Sequence, residues 1–172
     1  SNLPKVLHKA AGRSLLAHVL HAAKQLSPDR VVVVHGPGQD GVRAEAEKII
    51  PDARFAVQAE RLGTGHAVMM AESALAGFDG TVLTLYGDVP LIQPEALRKT
   101  IALAAAAPMA VLGFEAANPF GYGRLLTTGT TVTAIREQRD ASESEQAIRL
   151  CNSGIIDINA RKLFTVLHAL KP

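Results

Sequence analysis

Thr81-Val82-Leu83-Thr84-Leu85-Tyr86, followed at once by Gly87-Asp88-Val89-Pro90, is the stretch on which the fold turns. The first six residues are an unbroken β-prone run, as expected of a strand covered on both faces, and Gly-Asp-x-Pro stops it in a turn. Upstream, Arg30 to His35 is a second run of the same kind, ending at Gly36. Between and around these two runs, helical and strand periods alternate with short polar breaks, the pattern of βα units about a mostly parallel sheet. Ser14 is placed to cap a helix through about Gln25, with Leu15, Val19, Leu20 and Ala23 on its apolar face. Asp40 to Ile50 reads as a helix stopped by Pro51, Phe55 to Gln58 as a short strand and Thr64 to Leu75 as a helix. Pro94 suits the first turn of a helix running into the alanines before Pro108.

From Met109 the pattern changes. Met109 to Phe114, Arg124 to Thr127, Thr131 to Arg136 and Leu150 to Ile158 read as strands, Ser142 to Ala147 as a short helix and residues 160 to 170 as a last helix. The fold class expected is therefore α/β, mostly parallel with a mixed β extension, in one domain over residues 1–172 and with no repeat or second domain.

Composition narrows the function. With 172 residues, 48% of them hydrophobic and 20% charged, the chain can bury a core, and its net charge of +2 suggests neither disorder nor a nucleic-acid-binding arm. Cys151 is the sole cysteine, which excludes an internal disulfide and fits a reducing compartment, so a cytoplasmic location is expected. No run is long enough to cross a membrane, Ser1 to Lys5 do not resemble a signal peptide, and the missing initiator Met together with the abrupt Leu3-Pro4-Lys5 reads as an interior cut.

Candidate chemistry lies at strand ends. Ligands of open α/β sheets bind beyond the carboxyl ends of the strands, and Asp88 stands there as a candidate Mg²⁺ ligand or, more plainly, as a turn aspartate. Gln58-Ala59-Glu60-Arg61-Leu62-Gly63-Thr64-Gly65-His66 leads from a strand into a helix. Its amide can pair with a base edge and its glycines allow close approach, while Thr64 can equally serve as an N-cap. Lys5 can meet phosphate or simply be solvated. Gly121-Tyr122-Gly123-Arg124, Glu137 and Asn152-Ser153-Gly154 offer backbone, an acceptor and an amide to sugar hydroxyls, or are plain turns and strand ends.

Gly36-Pro37-Gly38-Gln39-Asp40-Gly41 is a formal G-x-G-x-x-G with Glu60 about 20 residues on, a dinucleotide-binding spacing. Pro37 removes an N–H from a loop that would need to donate to a pyrophosphate, which weighs against that reading. No P-loop, H-E-x-x-H or G-x-S-x-G occurs, His18 and His21 lack a third ligand, and Cys151 reads as core.

In order, Leu3-Pro4-Lys5-Val6-Leu7-His8, Gln58-Ala59-Glu60 with Leu62-Gly63-Thr64-Gly65-His66-Ala67, Leu85-Tyr86-Gly87-Asp88-Val89-Pro90-Leu91, Gly121-Tyr122-Gly123-Arg124 and Asn152-Ser153-Gly154-Ile155 span nearly the whole chain. Together they closely resemble the uridyltransferase domain of the bacterial bifunctional N-acetylglucosamine-1-phosphate uridyltransferases and glucosamine-1-phosphate acetyltransferases. The resemblance implies a Rossmann-like nucleotide-diphospho-sugar transferase fold. It also implies that UTP and N-acetylglucosamine 1-phosphate give UDP-N-acetylglucosamine, a precursor for peptidoglycan and lipopolysaccharide, and pyrophosphate with Mg²⁺.

Position by position, the resemblance implies that Lys5 contacts phosphate, Gln58 and Gly63 the uracil, and Thr64 the nucleotide. Tyr86, Gly87 and Asp88 would line the centre, with Lys5 and Asp88 catalytic and Asp88 on the metal. Gly123, Glu137 and Asn152 would contact the sugar. Arg139 stands where the family often has lysine. The family also has a preceding strand with a G-x-G-T-x-M loop, a later metal-binding asparagine, and an acetyltransferase domain through which the parent would oligomerise. The resemblance therefore implies a chain truncated at both ends, lacking its first strand and inactive by itself. No nucleic-acid or membrane partner is expected. A sibling sugar-1-phosphate nucleotidyltransferase, a cytidylyltransferase, a non-catalytic sugar-nucleotide-binding module and, from Gly36 to Gly41, a nicotinamide-dependent dehydrogenase remain the alternatives.

Overall fold

Ser14 sets the first helix. In the computed structural model, which describes residues 3–169, its Oγ accepts the Ala17 N–H at 3.0 Å at the start of α1 (Leu15–Lys24). The same hydroxyl donates to Glu45 Oε1 at 2.7 Å, tying α1 to α2 (Asp40–Ile49) and holding the Glu45 carboxyl below its ordinary value. The apolar face of α1 is wider than expected: Leu16, Ala17 and Ala22 are buried with Val19 and Leu20, whereas Leu15 and Ala23 are half-buried. The cause is the cluster of Leu16, Leu20, Val33, Val42, Ala46 and Ile50, which rotates the buried stripe toward α2 and the strand between the two helices.

Before α1 the chain makes a 3₁₀ turn, Lys5–Leu7, and a two-residue-strand hairpin, β1 (Lys9–Ala10) with β2 (Arg13–Ser14). The hairpin turns through Ala11 and Gly12, at φ 50° and 82°, and His18 Nε2 lies 2.8 Å from the Ala10 carbonyl. Left-handed φ at both central residues is the usual two-residue hairpin connection, but alanine seldom adopts it, so the sequence carries only the glycine half of the signal.

β3 (Val32–His35) and β4 (Arg54–Val57) pair in parallel from Val32↔Arg54 to His35↔Val57, with α2 as their crossover. After β4 come α3 (Thr64–Met70), a 3₁₀ turn Ser73–Leu75, β5 (Thr81–Thr84), α4 (Pro94–Ala106) and β6 (Met109–Glu115). The helix expected over Thr64 to Leu75 thus breaks at Ala71, the C-cap of α3. β7 (Arg124–Thr128), β8 (Thr131–Arg136), α5 (Glu143–Gln146), β9 (Leu150–Asn159) and α6 (Ala160–Ala169) complete the chain; the expected end of the last helix, residue 170, lies outside the described residues.

β9 organises the second sheet. Its C-terminal half runs antiparallel between β5 and β6, with Asp157 opposite both Leu83 and Ala110, so β5 and β6 point the same way. Its other half meets β6 and, at Cys151↔Arg124, the β7–β8 hairpin. The α/β architecture with a mixed β extension is as expected, although the extension reaches further in than the residues suggest. β3 and β5 are not hydrogen-bonded to each other, and each has a strand partner on one side only among the described residues. For that reason neither is fully covered, contrary to expectation: β5 is half-buried throughout and only Val33 of β3 is buried. β5 also stops at Thr84, two residues short of Tyr86.

Candidate functional site

The predicted residues gather in three groups at strand ends. Gly87 is the point at which the first group closes. A Cβ there would stand 3.1 Å from Val6 Cγ1 and 3.5 Å from Leu16 Cδ1, so glycine lets the β5 turn approach the segment carrying Lys5. Lys5 Nζ accordingly donates to Asp88 Oδ2 at 2.7 Å across 83 residues of sequence. The lysine side chain is 78% exposed and the aspartate 31%, so the pair adds little to stability; its consequence is a cation fixed against a carboxylate. Among the described residues no group of three or more His, Cys, Asp or Glu could hold a metal ion. The donor set offered to a cation is the single Asp88 carboxylate.

The second group surrounds Gln58, whose backbone N–H continues the β3–β4 ladder by donating to His35 O at 2.8 Å. Its side-chain Nε2 donates to Gly63 O at 3.1 Å and lies 3.1 Å from His66 Nδ1. Gly63, at φ 96° with open space where a Cβ would be, is the N-cap of α3 and provides no side-chain bond. Thr64 is therefore the first helical residue and not the cap that its chemistry allowed. The glycine wins that position because the turn needs a left-handed φ.

The third group lies on the β7–β9 side. Asn152 N–H donates to Gly123 O at 2.8 Å, and the Asn152 side-chain oxygen accepts the Gly154 N–H at 2.9 Å. Glu137 Oε1 stands 3.0 Å from where a Gly123 Cβ would lie, and an open cavity of about 460 Å³ is lined by Glu137, Gln138 and Arg139. Gly154, at φ 79°, joins this group to β5: a Cβ on it would stand 2.5 Å from Tyr86 Cε2.

Three residues here carried no assigned role in the sequence. Arg124 is 1% exposed; its Nη1 donates to Tyr122 O, and its Nη2 to Gln138 Oε1 at 2.8 Å and Gln146 O at 3.2 Å. Gln138 Oε1 also accepts the Gly121 N–H at 3.0 Å, so Arg124 and Gln138 together hold the Gly121–Gly123 turn. An arginine opening an apolar strand was the available signal. His66 is the third, through Gln58. Asp157, outside all three groups, is fully buried with neither carboxylate oxygen hydrogen-bonded, and burial pushes its pKa up to about 6.

The glycine-rich loop at Gly36 behaves as a turn. Gly36 N–H is engaged by Gln39 Oε1 at 3.0 Å, and a Gly41 Cβ would meet Leu7 Cδ1 at 3.2 Å, so two of its glycines serve internal packing. Cys151 is fully buried, as its strand context predicts. No helix among the described residues is long and apolar enough to cross a membrane.

The family model described as "MobA-like NTP transferase domain" matches residues 1–150. Among curated relatives, the bifunctional protein GlmU of Xanthobacter autotrophicus is 50% identical over 171 residues, 99% of this chain and 38% of its own length. The bifunctional protein GlmU of Rhodospirillum rubrum is 51% identical over 173 residues, with the same coverages. This chain thus spans 38% of the length of these relatives. An apo UDP-glucose pyrophosphorylase superposes with a TM-score of 0.78 at 16% identity, over 99% of this chain and 73% of that one. A putative glucose-1-phosphate thymidylyltransferase from Bacillus anthracis superposes with a TM-score of 0.72 at 16% identity, over 98% and 67%. At such identities the likeness concerns the fold.

Proposed function

The chain belongs to the MobA-like NTP transferase domain family, and from that premise we propose that it is the uridylyltransferase part of an enzyme joining UTP to N-acetylglucosamine 1-phosphate. The products are UDP-N-acetylglucosamine and pyrophosphate. The observation that carries the reading is identity of about one half, along nearly the whole chain, to bifunctional GlmU proteins. The grouping of the predicted residues at strand ends supports it.

In this reading a phosphate oxygen of the sugar phosphate attacks the α-phosphorus of UTP in line. One P–O bond forms, the bond to the β-phosphate bridge breaks, and pyrophosphate leaves. No covalent enzyme intermediate is needed, so positioning and charge carry the rate. Lys5 brings a mobile positive charge to the phosphates, and Asp88 sets where that charge rests beforehand. Gln58 and Gly63 take the uracil, with Thr64 beside the nucleotide. Tyr86 and Gly87 line the centre, Gly87 against the segment that carries Lys5 and Tyr86 against Gly154. Gly123, Glu137 and Asn152 present a carbonyl, a carboxylate and an amide to the sugar.

A single partly exposed carboxylate suits Mg²⁺, which keeps several waters and binds through one or two carboxylates plus substrate phosphates. Asp88 would hold it, and the ion when bound would neutralise charge on the phosphates. The cytoplasm, where UTP is made, is the compartment this reading calls for.

The test is pyrophosphate release by the full gene product carrying this chain, given UTP and N-acetylglucosamine 1-phosphate together and singly. Release that needs both is expected. Equal release with every sugar phosphate, or none with this pair, overturns the proposal.

A further inference from the structure

We infer that His66 is a positioning residue that, with the Gly63 carbonyl, fixes Gln58 as a hydrogen-bond acceptor only and so selects a base with a ring N–H. The inference rests on the reading of Gln58 as the base-contacting residue. The hydrogen bonds themselves decide which way the amide faces. A carbonyl oxygen can only accept, so the atom of Gln58 that lies 3.1 Å from Gly63 O must be the –NH₂ nitrogen. That nitrogen carries one further hydrogen, and His66 Nδ1 stands 3.1 Å from it. Since an amide nitrogen is a donor, Nδ1 is the acceptor and the ring proton resides on Nε2.

Both hydrogens of the amide are thereby engaged by the protein's own acceptors. Oε1, which no described residue meets with a hydrogen bond, is what remains for a ligand. Turning the amide over would set Oε1 against the Gly63 oxygen and the Nδ1 lone pair at once, two acceptor–acceptor contacts. The Gln58 backbone is held too, through its N–H to His35 O at 2.8 Å. Uracil and thymine present a ring N–H at position 3, which Oε1 accepts; cytosine presents a lone pair there, which Oε1 repels. A free glutamine turns its amide to suit either base, and a locked one cannot. The choice between an imide pyrimidine and cytosine thus depends on a histidine that touches no base.

The experiment compares kcat/KM for UTP, dTTP and CTP in the full gene product and in its His66→Leu and His66→Asn forms. Leucine removes the acceptor, while asparagine returns an oxygen near the Nδ1 position. His66→Leu is expected to lower the UTP-to-CTP ratio about tenfold, chiefly by raising CTP use, and His66→Asn to restore most of it. A direct readout accompanies the kinetics: in ¹⁵N spectra of the unsubstituted protein, His66 Nδ1 should be unprotonated, and the two Gln58 side-chain hydrogens should exchange slowly. An unchanged UTP-to-CTP ratio in a folded His66→Leu protein, or a protonated Nδ1, overturns the inference and leaves the proposed reaction standing. Equal use of CTP and UTP by the unsubstituted protein overturns the base reading and the inference together. If His66→Leu does not fold, the Nδ1 protonation state and the His66→Asn ratio decide.

Discussion

Asp157→Asn should stabilise this protein, and by an amount that depends on pH. Asp157 sits in β9 between Leu83 and Ala110, 0% exposed, with neither oxygen hydrogen-bonded. Nothing offsets the cost of burying its charge, so its pKa rises from 3.8 to about 6. Below the unfolded-state value both states are protonated and the group is neutral to stability. Between that value and the folded one, the unfolded chain ionises while the folded chain keeps its proton, so stability falls as pH rises. Above about 6 the loss is complete. A shift of about two units at about 1.4 kcal/mol each gives a penalty of about 3 kcal/mol at neutral pH. Asparagine has the same shape and does not titrate, and its amide is no better paired than a protonated carboxyl. Urea unfolding of both proteins at pH 4.5, 6.0 and 7.5 measures the difference. The substituted protein should gain about 1 kcal/mol at the lowest pH and about 3 kcal/mol at the highest. A gain that is flat with pH, or that shrinks as pH rises, would refute the claim that an unpaired buried carboxylate is present.

Three further outcomes are expected. Asp88→Asn should remove most of the Mg²⁺-dependent turnover while moving the melting temperature little, because the side chain is partly exposed and its ion pair contributes at most about 1 kcal/mol; undiminished activity at limiting Mg²⁺ would contradict this. Gln58→Ala should weaken UTP by about 1 to 3 kcal/mol and relax base choice, read by competition between UTP and CTP; an intact preference would place base reading elsewhere. Gly154→Ala should lower stability by about 1 to 3 kcal/mol, since its Cβ would lie 2.5 Å from the Tyr86 ring at a left-handed φ of 79°, and a shifted Tyr86 fluorescence signal should accompany the loss; an unchanged melt would show that the ring can move aside freely.

What the sequence made legible follows the range of the interactions involved. Ser14 and Pro94 mark their helices through contacts a few residues apart, and both helices begin where those residues put them. The strands β7 and β8 were equally readable as two β-prone runs, and the structure pairs them antiparallel. The placement of β9 was not. A run rich in isoleucine announces a strand but not its neighbours, and only chain pairing over long separations sets β9 antiparallel between β5 and β6. The same holds for the site. Lys5 and Asp88 were each visible as candidates, while their 2.7 Å contact depends on Gly87 allowing two distant segments to approach.

Arg124 shows why the remainder of the site was hidden. A guanidinium 1% exposed with no carboxylate bonded to it is costly to bury, and a sequence reader has good reason to expect such a residue at the surface. Its charge is met by three acceptors instead: two backbone carbonyls, Tyr122 and Gln146, and the Gln138 amide oxygen. Two of these belong to the turn and the strand end that bracket Gly123 and Glu137, so the arginine fixes the distance between the residues proposed to hold the sugar. The third acceptor, the Gln146 carbonyl, comes from α5 and ties that helix to the same point. An Arg124→Met replacement would fill similar volume and avoid the desolvation cost, yet it would take the donor from the Tyr122 and Gln146 carbonyls, leave Gln138 Oε1 with the Gly121 N–H alone, and loosen the turn. The charge is retained because it holds backbone in place: Gly121 and Gly123 have no side chains with which to be held, and Tyr122 between them is anchored by its ring against Phe114 at 5.0 Å and by its carbonyl on Arg124.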